Sequence, residues 1–253
     1  MHDPTSMLQE LTGHKHVELT SSGDKAILAA LHHAKGTIQI PDQAGWLTYR
    51  RYAKMLGIET ADLKTDRGVI IPEHVKKGAI IYCNPAGYFA EQPIGEIFQR
   101  AGLVIMDVTG CIGDKKLCDG RNAHIMVGSF GKWKPVDLGS GGFITFKTEE
   151  LHKRHKGNEQ FSGSEQELYQ KLGNAASRLE YFYRICSKIK KDLKEYDIIH
   201  REKKGINVVV GYRVEEEKDK LIEYCERNKY EYTICPKYIR VLEPAISIEV
   251  KRL

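Results

Sequence analysis

The side chains best suited to chemistry stand just after apolar runs. Ser21, Ser22, Gly23 and Asp24 precede a helical pattern, Asn84 follows AIIYC, Asp107 closes LVIM, Ser129 follows HIMVG, and Lys134 comes five residues later. In an open parallel sheet, ligands collect at the carboxyl ends of strands, so these are the positions to inspect. Small residues at a helix start present N–H groups and partial positive charge to a phosphate, although plain capping uses the same residues. Asp107 reads either as a turn former or as a buried acid facing a cation. Lys134 reads as a solvated surface group or as an amine in a pocket, and Asn84 as a turn residue before Pro85 or as an amide reaching a ligand. Taken in order, the series runs from phosphate cradle to strand-end acid, hydroxyl, amine and the glycine-rich step Gly139-Ser140-Gly141-Gly142. That order suits pyridoxal phosphate: its ring nitrogen needs an acidic partner, its phosphate needs amide and hydroxyl donors, and its aldehyde needs an amine.

The elements that must position these groups alternate between strand-like and helical patterns. Apolar spacing predicts helices over 23–34 and 45–57, and again at IGEIFQRAG. Strands are expected at TIQIP, AIIYCNP, LVIMDVTG, HIMVGSF and GGFITF. The alternation predicts an α/β fold, a three-layer α/β/α sandwich with a mainly parallel sheet. Beyond residue 147 the texture turns polar. One long charged helix is expected over 165–196, followed by strand, helix, strand and strand, a small C-terminal α+β unit. The expected division is a large domain over 1–155 and a small one over 156–253.

Composition narrows the class. The chain has 253 residues, 41% hydrophobic and 29% charged, with a net charge of +5. It holds no apolar run long enough for a membrane span. The polar start MHDPTSMLQELTGHKH does not read as a secretory signal, so the expected location is the cytoplasm. The six cysteines are scattered without a CxxC pair, which argues against a zinc site or a disulfide framework, and no metal is expected. Basic residues alternate with acidic ones, as in SKIKKDLKEY, so a solvated helix face is favoured over a nucleic-acid surface.

These landmarks resemble the DegT/DnrJ/StrS family of sugar aminotransferases, within fold type I of the pyridoxal-phosphate enzymes. That family carries its Schiff-base lysine five residues after a Ser-Phe serine and five before a Gly-Glu-Gly-Gly segment. Ser129, Phe130, Lys134 and Gly139 keep both intervals, so Lys134, rather than Lys132, matches that lysine. Asp107 stands six residues before Gly113, as the family's ring-nitrogen aspartate does. The stretch Ser21-Ser22-Gly23-Asp24 resembles the phosphate turn Ser-Ser-Gly-Thr, and Trp46 the aromatic that covers the ring. The resemblance implies a cofactor site of Ser22, Gly23, Asp24, Trp46, Asn84, Asp107, Ser129 and Lys134, with Lys134 and Asp107 catalytic and Gln43 and Tyr88 nearby. It also implies a homodimer acting on a small amino donor and acceptor, sugar-type substrates included.

Three positions depart from the family. Asp24 replaces a threonine, Gly110 a Gln or His, and Ser140 a Glu, while Asn174 and Arg178 give a shifted echo of the Asn-x-Arg that reaches a neighbouring subunit. A carboxylate beside a phosphate is repulsive, by roughly 4 kcal/mol per charge pair at 4 Å and an effective dielectric near 20. These departures keep open a non-catalytic binding or regulatory scaffold, and the same lysine and acid would also serve a lyase or other pyridoxal-phosphate reaction.

Overall fold

The computed structural model describes residues 3–155 and 160–253. Residue 156, where the second domain is expected to begin, lies outside the described residues. The chain opens with α1 (Pro4–Thr12), β1 (His16–Thr20), α2 (Gly23–Leu31), β2 (Ile38–Pro41), α3 (Leu47–Met55) and β3 (Thr60–Leu63). A short hairpin, β4 (Thr65–Asp66) and β5 (Val69–Ile70), leads to β6 (Ala79–Cys83), α4 (Ile94–Arg100), β7 (Leu103–Asp107), β8 (Ile125–Ser129) and β9 (Gly142–Phe146). There follow α5 (Glu149–Lys153), α6 (Glu165–Gly173), α7 (Ala175–Asp192), β10 (Asp197–Ile198), β11 (Val208–Gly211), α8 (Glu215–Arg227), β12 (Tyr232–Cys235) and β13 (Ala245–Ile248).

Seven strands form the large sheet in the order β1-β9-β8-β7-β6-β2-β3. From β3 to β8 every neighbouring pair is parallel, and β9 and β1 complete the edge antiparallel. Successive residues of one strand serve opposite faces. In β7, Val104 and Met106 pack with Leu8 of α1, Ile97 of α4 and Leu168 and Leu172 of α6. Ile105 packs with Ile27 and Leu31 of α2 and Tyr49 and Ala53 of α3. This two-residue alternation, with both faces covered, explains the uninterrupted apolar runs and gives the expected three-layer α/β/α sandwich.

The second sheet is wholly antiparallel, in the order β10-β11-β13-β12. It packs Val208, Val210, Ile246 and Ile248 against Leu179, Phe182 and Ile189 of α7 and Leu221 and Cys225 of α8. The expectation of one helix over 165–196 is corrected: α6 stops at Gly173 and α7 begins at Ala175, with Asn174 capping both. The break lets α6 lie against α1 beneath the large sheet while α7 turns its apolar stripe to the small one. Cys83 and Tyr88, from the end of β6 and the turn after it, join the small-sheet cluster. The two sheets therefore meet where β6 and β7 end.

Candidate active site

Asp107 is the last residue of β7, paired in register with Cys83 of β6 and Val127 of β8, and only 5% exposed. Its Oδ2 accepts from the Tyr49 hydroxyl at 2.6 Å and its Oδ1 from the Thr109 backbone N–H at 3.0 Å. Both donors are neutral. The carboxylate is thus oriented from behind while its charge faces the cleft unneutralised by them. Burial first, and the Asp107 charge second, push the Tyr49 hydroxyl well above the usual tyrosine range, so it stays a donor.

Lys134 lies in the loop joining β8 to β9. It lines the same cleft as Asp107, with Nζ 5.1 Å from the Tyr88 ring centroid and 5.8 Å from that of Trp46. Burial lowers its ammonium below the usual lysine value, and Asp107 is the strongest opposing influence. Lys132 is exposed, its Nζ 4.7 Å from the Trp133 ring. Of the two lysines, Lys134 is the one that faces the cleft.

The opposite wall is the start of α2. Gly23 and Asp24 line the cleft with Ser129. A Cβ on Gly23 would fall 2.5 Å from the Ser129 Cβ, so only glycine lets the helix start approach that serine so closely. The Ser129 hydroxyl accepts from Gly131 N–H at 3.1 Å, and its backbone N–H donates to Thr109 Oγ1 at 3.0 Å. Ser22 is the helix N-cap: its hydroxyl accepts from Lys25 N–H at 3.2 Å, so its oxygen serves the helix. The Asp24 carboxylate accepts from Trp46 Nε1 at 3.0 Å and Thr48 Oγ1 at 3.3 Å, and Arg51 stands 3.8 Å away. It is held toward α3, which softens the repulsion a phosphate would meet.

Two residues expected near the ligand have partners elsewhere. Asn84 is fully buried, with its amide nitrogen donating to Leu117 O at 2.7 Å and its oxygen accepting from Gln92 N–H at 3.0 Å. Both ends brace loops, and Asn84 is not among the residues lining the cleft. The Gln43 oxygen accepts from Leu242 N–H at 2.8 Å, tying the large sheet to the loop before β13. Asn174 and Arg178 fall at the start of α7, away from the residues that line the cleft.

Tyr49, Thr109 and Tyr88 complete the site. Tyr49 was legible only as three residues beyond Trp46 on an amphipathic helix, and Thr109 only as two residues beyond Asp107. Tyr88 sits at φ +70°, and its ring fills the space a side chain at position 110 would need: a Cβ on Gly110 would lie 2.5 Å from Tyr88 Cδ1. The glycine at 110, a departure from the family, thus makes room for this phenol.

The donor set fits pyridoxal phosphate. A buried acid and an amine share a cleft walled by two aromatic rings, with a helix start and a serine at its other end. Among the described residues, no cluster of three or more His, Cys, Asp or Glu side chains is placed to hold a metal ion.

Residues 176–253 match the MJ1341 family C-terminal domain. No curated protein matches the chain. Among solved structures, a DegT DnrJ EryC1 StrS aminotransferase from Brucella abortus is similar at a TM-score of 0.73 and 17% identity, over 97% of this chain and 83% of the other. NtdA from Bacillus subtilis, with bound cofactor PMP, gives 0.71 and 15% over 97% and 71%. An aspartate aminotransferase of subgroup IV from Thermus thermophilus gives 0.72 and 12% over 98% and 84%. The chain has the fold of these aminotransferases, the fold that the resemblance implied.

Proposed function

We propose that this chain is a pyridoxal-phosphate-dependent, aminotransferase-like enzyme in which Lys134 carries the cofactor and Asp107 faces its ring nitrogen. It moves an amino group to or from a small substrate, sugar-type substrates included. The observation that carries this reading is the meeting of the Lys134 amine and the Asp107 carboxylate in one cleft between Trp46 and Tyr88. When bound, the cofactor supplies an electron sink for a substrate carbon that has lost a proton. Asp107 holds a proton at the ring nitrogen, and Tyr49 and Thr109 keep its carboxylate aimed there. The Lys134 amine would take up and return the proton at the reacting carbon. The start of α2 and Ser129 receive the phosphate, and the Trp46 and Tyr88 rings exclude water.

On this reading residues 1–155 form the cofactor-binding domain and 156–253 the small one. The homodimer implied by the resemblance and a cytoplasmic location belong to the same proposal. Among the described residues, no helix is long and apolar enough to cross a membrane.

Asp24 in the phosphate turn favours a second reading, a scaffold that binds or regulates without chemistry. Adding pyridoxal phosphate to the purified protein separates the two. The enzyme reading expects a visible absorption band that Lys134→Ala abolishes and that amino donors convert. A wild-type protein that stays colourless points to the scaffold, and a band that survives Lys134→Ala removes Lys134 from its role. A donor that is consumed without amino transfer points instead to a lyase using the same two residues.

A further inference from the structure

Beside the cleft lies a set of buried charges that the proposed chemistry leaves unused. Glu249, 1% exposed, accepts from Arg240 Nε at 2.9 Å and Nη2 at 2.7 Å, from Ser247 Oγ at 2.9 Å and from Asn207 Nδ2 at 3.0 Å. Its oxygens are already committed. Lys251, 4% exposed, has its Nζ 3.5 Å from Glu249 Oε2, beyond good hydrogen-bond length. Arg240 and Glu249 neutralise one another, which leaves Lys251 as the surplus cation. Its Nζ lies 5.3 Å from the Tyr88 ring centroid, and Lys134 Nζ lies 5.1 Å from the same centroid. The two nitrogens are thus within about 10 Å of each other beside one buried phenol. Like charges so placed each make the other harder to hold.

We propose that Lys251 is a second titrating amine of the site, coupled to Lys134 through their shared position around Tyr88. When Lys134 Nζ loses its charge, Lys251 Nζ holds a proton more tightly; when Lys134 regains it, Lys251 releases its own more readily. The use of this pair in amino transfer rests on the reading of Lys134 given above, but the coupling itself does not.

The other groups facing the pair come from several elements. Burial pushes the Cys83 thiol and the Tyr88 phenol well up, so both stay neutral. Arg240, from the loop between β12 and β13, stays charged, as arginine does, and Arg252 follows Lys251 directly in the chain. Glu249 is held down to about 2, against its burial, chiefly by Arg240. Asp107 faces Lys134 from β7. Burial first, and then Arg240, Lys134 and Arg252, bring the Lys251 ammonium down to about 8 against the pull of Glu249.

The test is a pH titration of the full chain labelled with 13C at lysine Cε, freed of bound carbonyl compounds, and followed by NMR. The Lys251 signal is assigned by its loss in Lys251→Arg. At a separation of no more than about 10 Å and an effective dielectric of about 20, Lys134→Met should raise the Lys251 midpoint by on the order of one pH unit or more. Lys134→Arg, which keeps a permanent charge, should leave it at or below the wild-type value. The reciprocal measurement, Lys134 in Lys251→Met, keeps the test open if one variant fails to fold. Equal Lys251 midpoints in wild type, Lys134→Met and Lys134→Arg would overturn the proposal. Because the titration needs no cofactor, a protein that never colours would end the Schiff-base reading and leave this result standing.

Discussion

Asp107 and Glu249 are both buried carboxylates near Tyr88, yet the protein surrounds them in opposite ways. Glu249 is enclosed by a bidentate arginine, a serine, an asparagine and a lysine. Asp107 receives one phenol and one amide, both neutral, and faces a lysine across open space. The first is a completed ion network that joins β13 to its neighbouring loops. The second is incomplete by one cationic partner of about ring size, which is what a ligand site requires and a structural bridge does not.

The largest effect on stability is expected at the completed network. Arg240→Met leaves the Glu249 charge buried without its main partner, which should lower stability by about 3–5 kcal/mol in urea unfolding. A loss below about 1 kcal/mol would erase the contrast between the two acids.

Acid should act on the same network less abruptly. Glu249 is held at about 2 in the folded chain against an ordinary 4.5, so on acidification the unfolded chain binds the proton first. Its stabilisation is therefore full above pH 4.5 and is lost as the pH falls from there toward 2. His33 adds a slope of the same sign at higher pH. Burial, then His155 and Arg154, hold it at about 4, so the unfolded chain protonates first between about 6.5 and 4. Unfolding midpoints measured against pH should fall less steeply below 4.5 in Glu249→Gln than in the wild type, and an unchanged profile in that variant would refute the assignment.

The smallest change in stability is expected at Asp107. Asp107→Asn keeps the shape and one acceptor, so the unfolding free energy should move by no more than about 1 kcal/mol. Amino transfer, in contrast, should fall by about 100-fold or more as the partner of the ring nitrogen is lost. A large destabilisation with activity retained would make Asp107 a second structural acid and collapse the comparison.

The sequence carried the strand-end landmarks because close backbone approach and buried acids need particular residue types at particular steps. Gly23, Asp107, Ser129 and Lys134 do converge on one cleft. What it could not carry depends on partners distant in the chain. Asn84 has the composition of a ligand residue, but its amide is consumed by Leu117 and Gln92, 33 and 8 residues away. Asp24 turns to Trp46 and Thr48 on the next helix. Arg240, Glu249 and Lys251 read as tail charges until β13 brings them inside. The antiparallel edge arises because β1 pairs with β9, a choice made by the sheet and not by either strand. The helix break between Gly173 and Ala175 was hidden by amphipathic spacing that continues on both sides.

The chain has two tryptophans, and both report on one loop. Trp46 lies across from the Lys134 amine, and Trp133 immediately precedes Lys134 in the loop, flanked at 4.7 Å by Lys132 and Arg252. Ultraviolet emission from the whole molecule is therefore a local signal. Anything that enters the cleft and absorbs in the near ultraviolet will quench an indole a few ångströms away, so occupancy can be followed by fluorescence before any substrate is known.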